Sequence, residues 1–140
     1  MNRRCALLAM LPLAAPPLRA ADVTAAEAKE VRALVEAQLA AFASDDADKA
    51  FAYAAPAIQA MFVTAERFLA MVRQSYPVVY RPASVRFLQP ERVDGRLLQR
   101  VQMVDAEGAP WQVVYEIERQ QDGSWRIAAC VAARAQGRST

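Results

Sequence analysis

Apolar positions recur at three- and four-residue spacing through the first half of the chain and at every second residue through the last third. Thr24 and Glu27 form a Thr-x-x-Glu capping box, in which the hydroxyl accepts a backbone N–H and the carboxylate reaches back. From there Val31, Leu34, Val35, Leu39 and Phe42 make one stripe of an amphipathic helix, with Lys29, Glu30, Arg32 and Glu36 mostly off it. Asp45-Asp46 stops this helix. Short carboxylates there suit the free N–H groups of a following helix; the alternative is a catalytic acid, and the turn position favours caps. Ala47 to Tyr53 predicts a brief helix ended by Pro56, and Ala57 to Phe62 a further turn or two. Thr64 caps the last helix, with Val63 and Phe68 spaced for a hydrophobic staple. Phe68, Met71, Val72 and Tyr76 continue its apolar face, and Pro77 forces Tyr76 towards extended geometry and stops it.

From Ser84 the period is two. Val85 and Phe87 alternate with Ser84 and Arg86, and Pro90 restricts this strand to an edge or a bulge. Asp94-Gly95 is a hairpin dipeptide. The next strand sets Leu97, Gln99, Val101 and Met103 on one face, the third Trp111, Val113, Tyr115 and Ile117, and the fourth Trp125, Ile127, Ala129 and Val131. Asp105 to Gly108 and Asp122-Gly123 supply the turns between them. The pattern predicts an α+β domain in which N-terminal helices pack on a curved four-stranded antiparallel meander. Helices cover one sheet face. The other, with Leu98, Val104 and Val114 among Arg100, Gln102, Gln112 and Glu116, stays open or pairs with a second copy in a homodimer.

Residues 1–20 stand apart. Arg3-Arg4, the apolar run CALLAMLPL at 5–13, the prolines 12, 16 and 17, and Leu18-Arg19-Ala20 have the basic, apolar and small-residue order of a cleaved signal peptide. An uncleaved anchor or a plain leader are the alternatives; the run is too short and too proline-rich for a membrane span. Cys5 lacks the small apolar residues that precede a lipidated cysteine, and Arg3-Arg4 alone is a weak twin-arginine signal. The expectation is a periplasmic or secreted protein with one domain over 21–134 and a loose tail over 135–140.

Export changes the balance of charge. The full chain has 17 basic and 15 acidic residues; removing Arg3, Arg4 and Arg19 leaves 14 against 15, or −1. Nothing in that favours nucleic acid or an anionic membrane. Cys130 becomes the sole thiol, so no intramolecular disulfide is expected. It lies among small apolar residues rather than in the cationic, exposed setting of a reactive thiolate, and reads as inert.

The chain contains no histidine, which removes Ser-His and Cys-His nucleophilic systems and most zinc sites. There is no glycine-rich phosphate loop and no acidic spacing suited to a metal, so no cofactor and no metal is expected. A carboxylate base with a tyrosine electrophile is what remains. Tyr53, Tyr76, Tyr80 and Tyr115 are candidate hydroxyls, but Glu116 alternates away from Tyr115. Trp111 and Trp125 fit an aromatic pocket wall or plain core, and on a strand's inner face core is the commoner role.

The order QLxAFxxDDAxxAFxYAxPxIQxMF over 38–62, supported by Trp111, Tyr115 and the Asp-Gly-Ser-Trp at 122–125, resembles the bacterial family known as domain of unknown function 4864. The order of helices and strands is similar to the nuclear transport factor 2-like (cystatin-like) superfamily. That resemblance implies a cone-shaped fold enclosing a pocket, in which relatives include Asp/Tyr isomerases and dehydratases, but it brings no catalytic residues. The functional expectation is a non-catalytic exported domain that binds a small apolar ligand or a protein partner, with Tyr53, Phe62, Trp111 and Tyr115 as lining candidates. The alternative is an Asp/Glu–Tyr lyase or isomerase.

Overall fold

The computed structural model describes residues 22–135; the leader expected over 1–20 and tail residues 136–140 lie outside them. The elements run α1 (Ala25–Ala43), α2 (Ala47–Ala52), α3 (Pro56–Phe62), α4 (Ala65–Ser75), α5 (Pro77–Tyr80), then β1 (Ser84–Phe87), β2 (Glu91–Val93), β3 (Arg96–Val104), β4 (Pro110–Arg119) and β5 (Trp125–Arg134). The class is α+β, as expected. No helix among the described residues is long and apolar enough to cross a membrane.

Local chemistry sets the helix ends. Thr24 and Glu27 close the capping box of α1, and Glu27 also meets Arg92 of β2 at 2.8 Å, fixing the helix to the sheet edge. Asp46 caps α2 by accepting from Lys49 N. Pro56 does more than end α2: it occupies the first turn of α3, where its missing N–H is free of cost. Thr64 caps α4 by accepting from Arg67 N. The staple across that cap does not form as expected, because Val63 is 67% exposed while Phe68 is buried. Val63 has φ 69° and ψ −46°, and Thr64 N donates to Phe62 O at 2.8 Å across it. This is a classic γ-turn, a rare and strained conformation, most costly for a β-branched residue. It turns Val63 outward and lets Phe62 and Phe68 both face in. Beyond Tyr76, Pro77 starts the short helix α5, whose Val78 and Val79 are buried.

The sheet is open, antiparallel and five-stranded rather than a four-stranded meander. Its order is β1-β3-β4-β5, with β2 also paired to β3. The expected first strand is broken around Pro90. Phe87 pairs with Val101 and Glu91 with Leu98, so three residues on one side face two on the other. That extra residue is a bulge, where a proline interrupts the ladder at least cost. Gln99, 1% exposed in an otherwise apolar face, completes the break: its Nε2 donates to Leu88 O at 2.8 Å and to Arg100 O at 2.9 Å. Gln99→Leu should therefore cost about 1–3 kcal/mol in urea unfolding, since Leu88 O loses that partner. A neutral result would show that the edge rearranges freely.

A second bulge corrects the predicted face of the last strand. Ile117 pairs with Ile127, but Glu116 pairs with Ala129, which leaves Ala128 extra. Trp125 and Ile127 point into the core as expected. Beyond Ala128 the alternation reverses: Cys130 and Ala132 pack against the core, and Val131 is 63% exposed. At the same place the chain leaving α2 joins the edge of β5. Ile127 N donates to Tyr53 O at 2.9 Å, and Ala55 N donates to Ile127 O at 2.8 Å.

The core lies between α1, α2, α4 and α5 and one sheet face. Val31, Val35 and Phe42 meet Leu97, Val101, Val113, Tyr115 and Ile117 there, all nearly solvent-free. Phe68 sits at its helical end, with ring centroids 6.0 Å from Phe42, 5.5 Å from Phe51 and 5.7 Å from Phe62. The outer sheet face carries the ion pairs Arg100–Glu91 and Arg96–Glu116 among the half-buried Leu98, Val104 and Val114.

Candidate functional site

The helices do not fill the space above β5. Between them and the sheet lies an apolar cavity of about 160 Å³. From α1 it receives Gln38 and Phe42, from α3 Ile58 and Phe62, and from α4 Phe68, Met71 and Val72. Tyr76 and Val79 continue the wall, and Ile127 with Cys130 forms the sheet side. None of the lining residues is charged. The helix faces that meet here follow from apolar spacing, but no pair of elements predicts the gap between them. It arises where α3, none of whose residues is fully buried, is held by the Tyr53–Ile127 and Ala55–Ile127 bonds on one side and the Val63 turn on the other.

Two polar side chains in this region, Gln38 and Tyr115, are buried with bonding capacity unspent. Gln38 is 4% exposed, and its Nε2 donates to Ala50 O at 3.1 Å, bracing α2. Because a carbonyl accepts only, that bond fixes which end of the amide is nitrogen. Behind the sheet wall, Tyr115 pairs across strands with Cys130. Its hydroxyl is buried and makes no hydrogen bond, although phenol and thiol are close enough to affect each other's ionisation. Burial first, and the neighbouring thiol second, push the Tyr115 pKa well above 10.0. Burial raises the Cys130 thiol from 9.0 to about 12. Both are neutral at physiological pH, so this wall behaves as apolar surface.

The four lining candidates fall in different places. Phe62 lines the cavity. Tyr115 stands behind Cys130, fully buried. Tyr53 packs half-buried beside the core and supplies a backbone carbonyl to Ile127. Trp111 lies at the opposite end of β4, where its Nε1 donates to Asp105 Oδ2 at 2.8 Å and Arg134 covers its ring at 5.6 Å. It belongs to a separate hollow of about 390 Å³ bounded by Arg86, Gln102 and Gln112. Trp125 is core: its Nε1 donates to Glu30 Oε2 of α1 at 2.8 Å. The sequence reading missed Gln38, Ile58, Met71 and Cys130 as neighbours of Phe62. Their stripes were visible, but the phase change at Ala128 that turns Cys130 inward has no sequence signal.

A tyrosine and a carboxylate do meet elsewhere. Tyr80 donates to Asp45 Oδ1, while Arg81 lies 3.3 Å and Arg73 3.6 Å from the same carboxylate. Asp45 thus does not cap α2 as its neighbour does; it ties the end of α1 to α5, helped by Arg81 donating to Phe42 O. The Tyr80 hydroxyl first, then Arg81 and Arg73, hold the Asp45 pKa below the usual 3.8. The group is half-exposed and remains ionised, the reverse of what burial does to a pocket acid. Among the described residues no group of three or more His, Cys, Asp or Glu is placed to hold a metal ion.

No curated protein and no solved structure matches the chain. The family described as Domain of unknown function (DUF4864) matches over residues 24–140, which takes in every described element from the first helix to the last strand. The segment from Gln38 to Phe62 that carries the resemblance is braced by side chains, with Gln59 Nε2 donating to Phe51 O at 3.0 Å and Ala54 O at 3.1 Å. The chain belongs to this DUF4864 family.

Proposed function

We propose that this protein is an exported, non-catalytic member of the nuclear transport factor 2-like superfamily that binds a small apolar ligand. The observation that carries the reading is the 160 Å³ cavity with its uncharged wall. Apolar hollows with few polar groups are the usual form of small-molecule sites. The cavity walls come from four helical segments and a strand, so a ligand there would also stabilise their packing. For the alternative, an Asp/Glu–Tyr lyase or isomerase, the nearest arrangement is Asp45–Tyr80. Its arginine neighbours favour the ionised carboxylate on an open surface, and this supports a structural tie over proton transfer.

Benzene tests the reading. At about ten times its Kd it should stabilise the fold by about 1.4 kcal/mol, seen as a concentration-dependent rise in Tm. Ile58→Trp, a half-buried change at the cavity wall, should remove the rise. If the wild-type Tm stays constant up to the solubility limit of benzene, the ligand reading is lost and a partner-binding surface takes its place.

A further inference from the structure

The wall of the cavity contains one amide whose bonding is half complete. Gln38 spends an Nε2 hydrogen on Ala50 O, and its Oε1 has no partner among the described residues. The side chain is almost completely withdrawn from solvent and lines the cavity. Unlike the Tyr115 hydroxyl, this oxygen is not sealed off, so it can accept from a donor that enters the cavity. The remaining wall is made of aromatic and aliphatic groups plus the neutral Cys130 thiol and the hydroxyl-bearing Tyr76. No lining residue is positive or negative, so a charged ligand would enter without a counter-ion. Size adds a further restriction. A cavity of about 150 Å³ accommodates one benzene ring, and this one is about 160 Å³.

We propose that the cavity selects a neutral, single-ring hydroxyl compound of the phenol class, with the ring among Phe42, Phe62 and Phe68 and the hydroxyl donating to Gln38 Oε1. This rests on the apolar-ligand reading and adds to it a specific chemistry. A ring of this size fills the space without moving α1 or the sheet. The hydroxyl pairs with the amide oxygen on the wall, and the structural bond from Nε2 to Ala50 O is kept. Gln38 then has two tasks, bracing α2 with its nitrogen and reading the ligand with its oxygen.

Phenol and fluorobenzene are close in size, and only phenol donates a hydrogen bond. Both are titrated into the full chain carrying ¹³C label, with the Met71 methyl reporting occupancy and the Gln38 Cδ reporting hydrogen bonding. The expected result is saturable shifts of Met71 with both compounds and a downfield shift of Gln38 Cδ with phenol alone. Gln38→Met keeps the length of the side chain and removes the acceptor. It should weaken phenol roughly tenfold, as an unpaired buried hydroxyl does, and leave fluorobenzene within about twofold. The wild-type Cδ readout holds even if this variant folds poorly. If both compounds bind while Gln38 Cδ stays fixed under phenol, the phenol-class assignment is overturned and the apolar-ligand reading survives. If neither compound shifts Met71, the cavity takes no ligand of this size and both fall together.

Discussion

Phe68→Ala is expected to remove about 3–5 kcal/mol of folding stability, a large part of the 5–15 kcal/mol typical of a domain this size. Phe68 is 6% exposed, and its ring lies against those of Phe42, Phe51 and Phe62. Its loss removes the burial of one aromatic side chain and the three edge or tilted ring contacts. It also opens a void beside a cavity that already exists, so the neighbours have little to collapse onto. That places the cost towards the upper end of the range. Urea unfolding should show a lower midpoint with an unchanged slope. Benzene should recover part of the loss by filling the enlarged space, and more so than in the wild type. A loss under about 1 kcal/mol would mean that the aromatic cluster is incidental to the packing.

The second large effect is a loss of stability at alkaline pH, through the cross-strand pair Cys130 and Tyr115. The Cys130 thiol titrates near 9.0 when unfolded and near 12 when folded. Between those values the folded state holds a proton that the unfolded state has released. Stability therefore falls as pH rises, by up to about 1.4 kcal/mol per pH unit, starting near pH 9 and ending near 12. Tyr115, whose pKa is also raised, adds to the slope above its ordinary 10.0. Below pH 9 neither group contributes a slope. Cys130→Ala should flatten the curve between pH 9 and 10, and Tyr115→Phe should reduce it above 10. The raised thiol pKa predicts that iodoacetamide at pH 8 alkylates Cys130 roughly a thousandfold more slowly than a free thiol. Stability that is flat to pH 10.5, with alkylation as fast as in urea, would show an exposed thiol instead.

Both effects depend on features at different distances from the sequence. The Phe68 stripe can be read directly, since Phe68, Met71 and Val72 recur at helical spacing behind a threonine cap. The partnership of Cys130 with Tyr115 cannot. Strict alternation from Trp125 puts Ala129 and Val131 inside, and one extra residue at Ala128 exchanges them for Cys130 and Ala132. A bulge of this kind has no composition of its own when the residues are all small. The first bulge was half legible: Pro90 announced an interruption, but two short strands on one edge, with Gln99 bonding into the break, became evident only from the pairing.

The candidate site follows the same division. Phe62 could be named from the helical pattern and lines the cavity, whereas Trp111, an equally prominent aromatic, is held by Asp105 at the far end of its strand. Alternation gives the face of a residue but not its distance along the strand from a particular helix.

What the sequence determines by itself is local. Thr24, Asp46 and Thr64 set helix starts because their oxygens bond to N–H groups only three residues away. Asp94-Gly95 sets a hairpin because both residues accept positive φ, here 49° and 79°. Period-two burial then assigns the inner faces of β3 and β4. The tertiary structure alone decides the rest: Asp45 reaching Tyr80 and Arg81, Trp125 reaching Glu30, the two bulges, and the gap that the helices leave over Ile127 and Cys130. Each of these depends on how rigid elements of fixed length meet. A cavity is the space that remains when they do, and no residue encodes it separately.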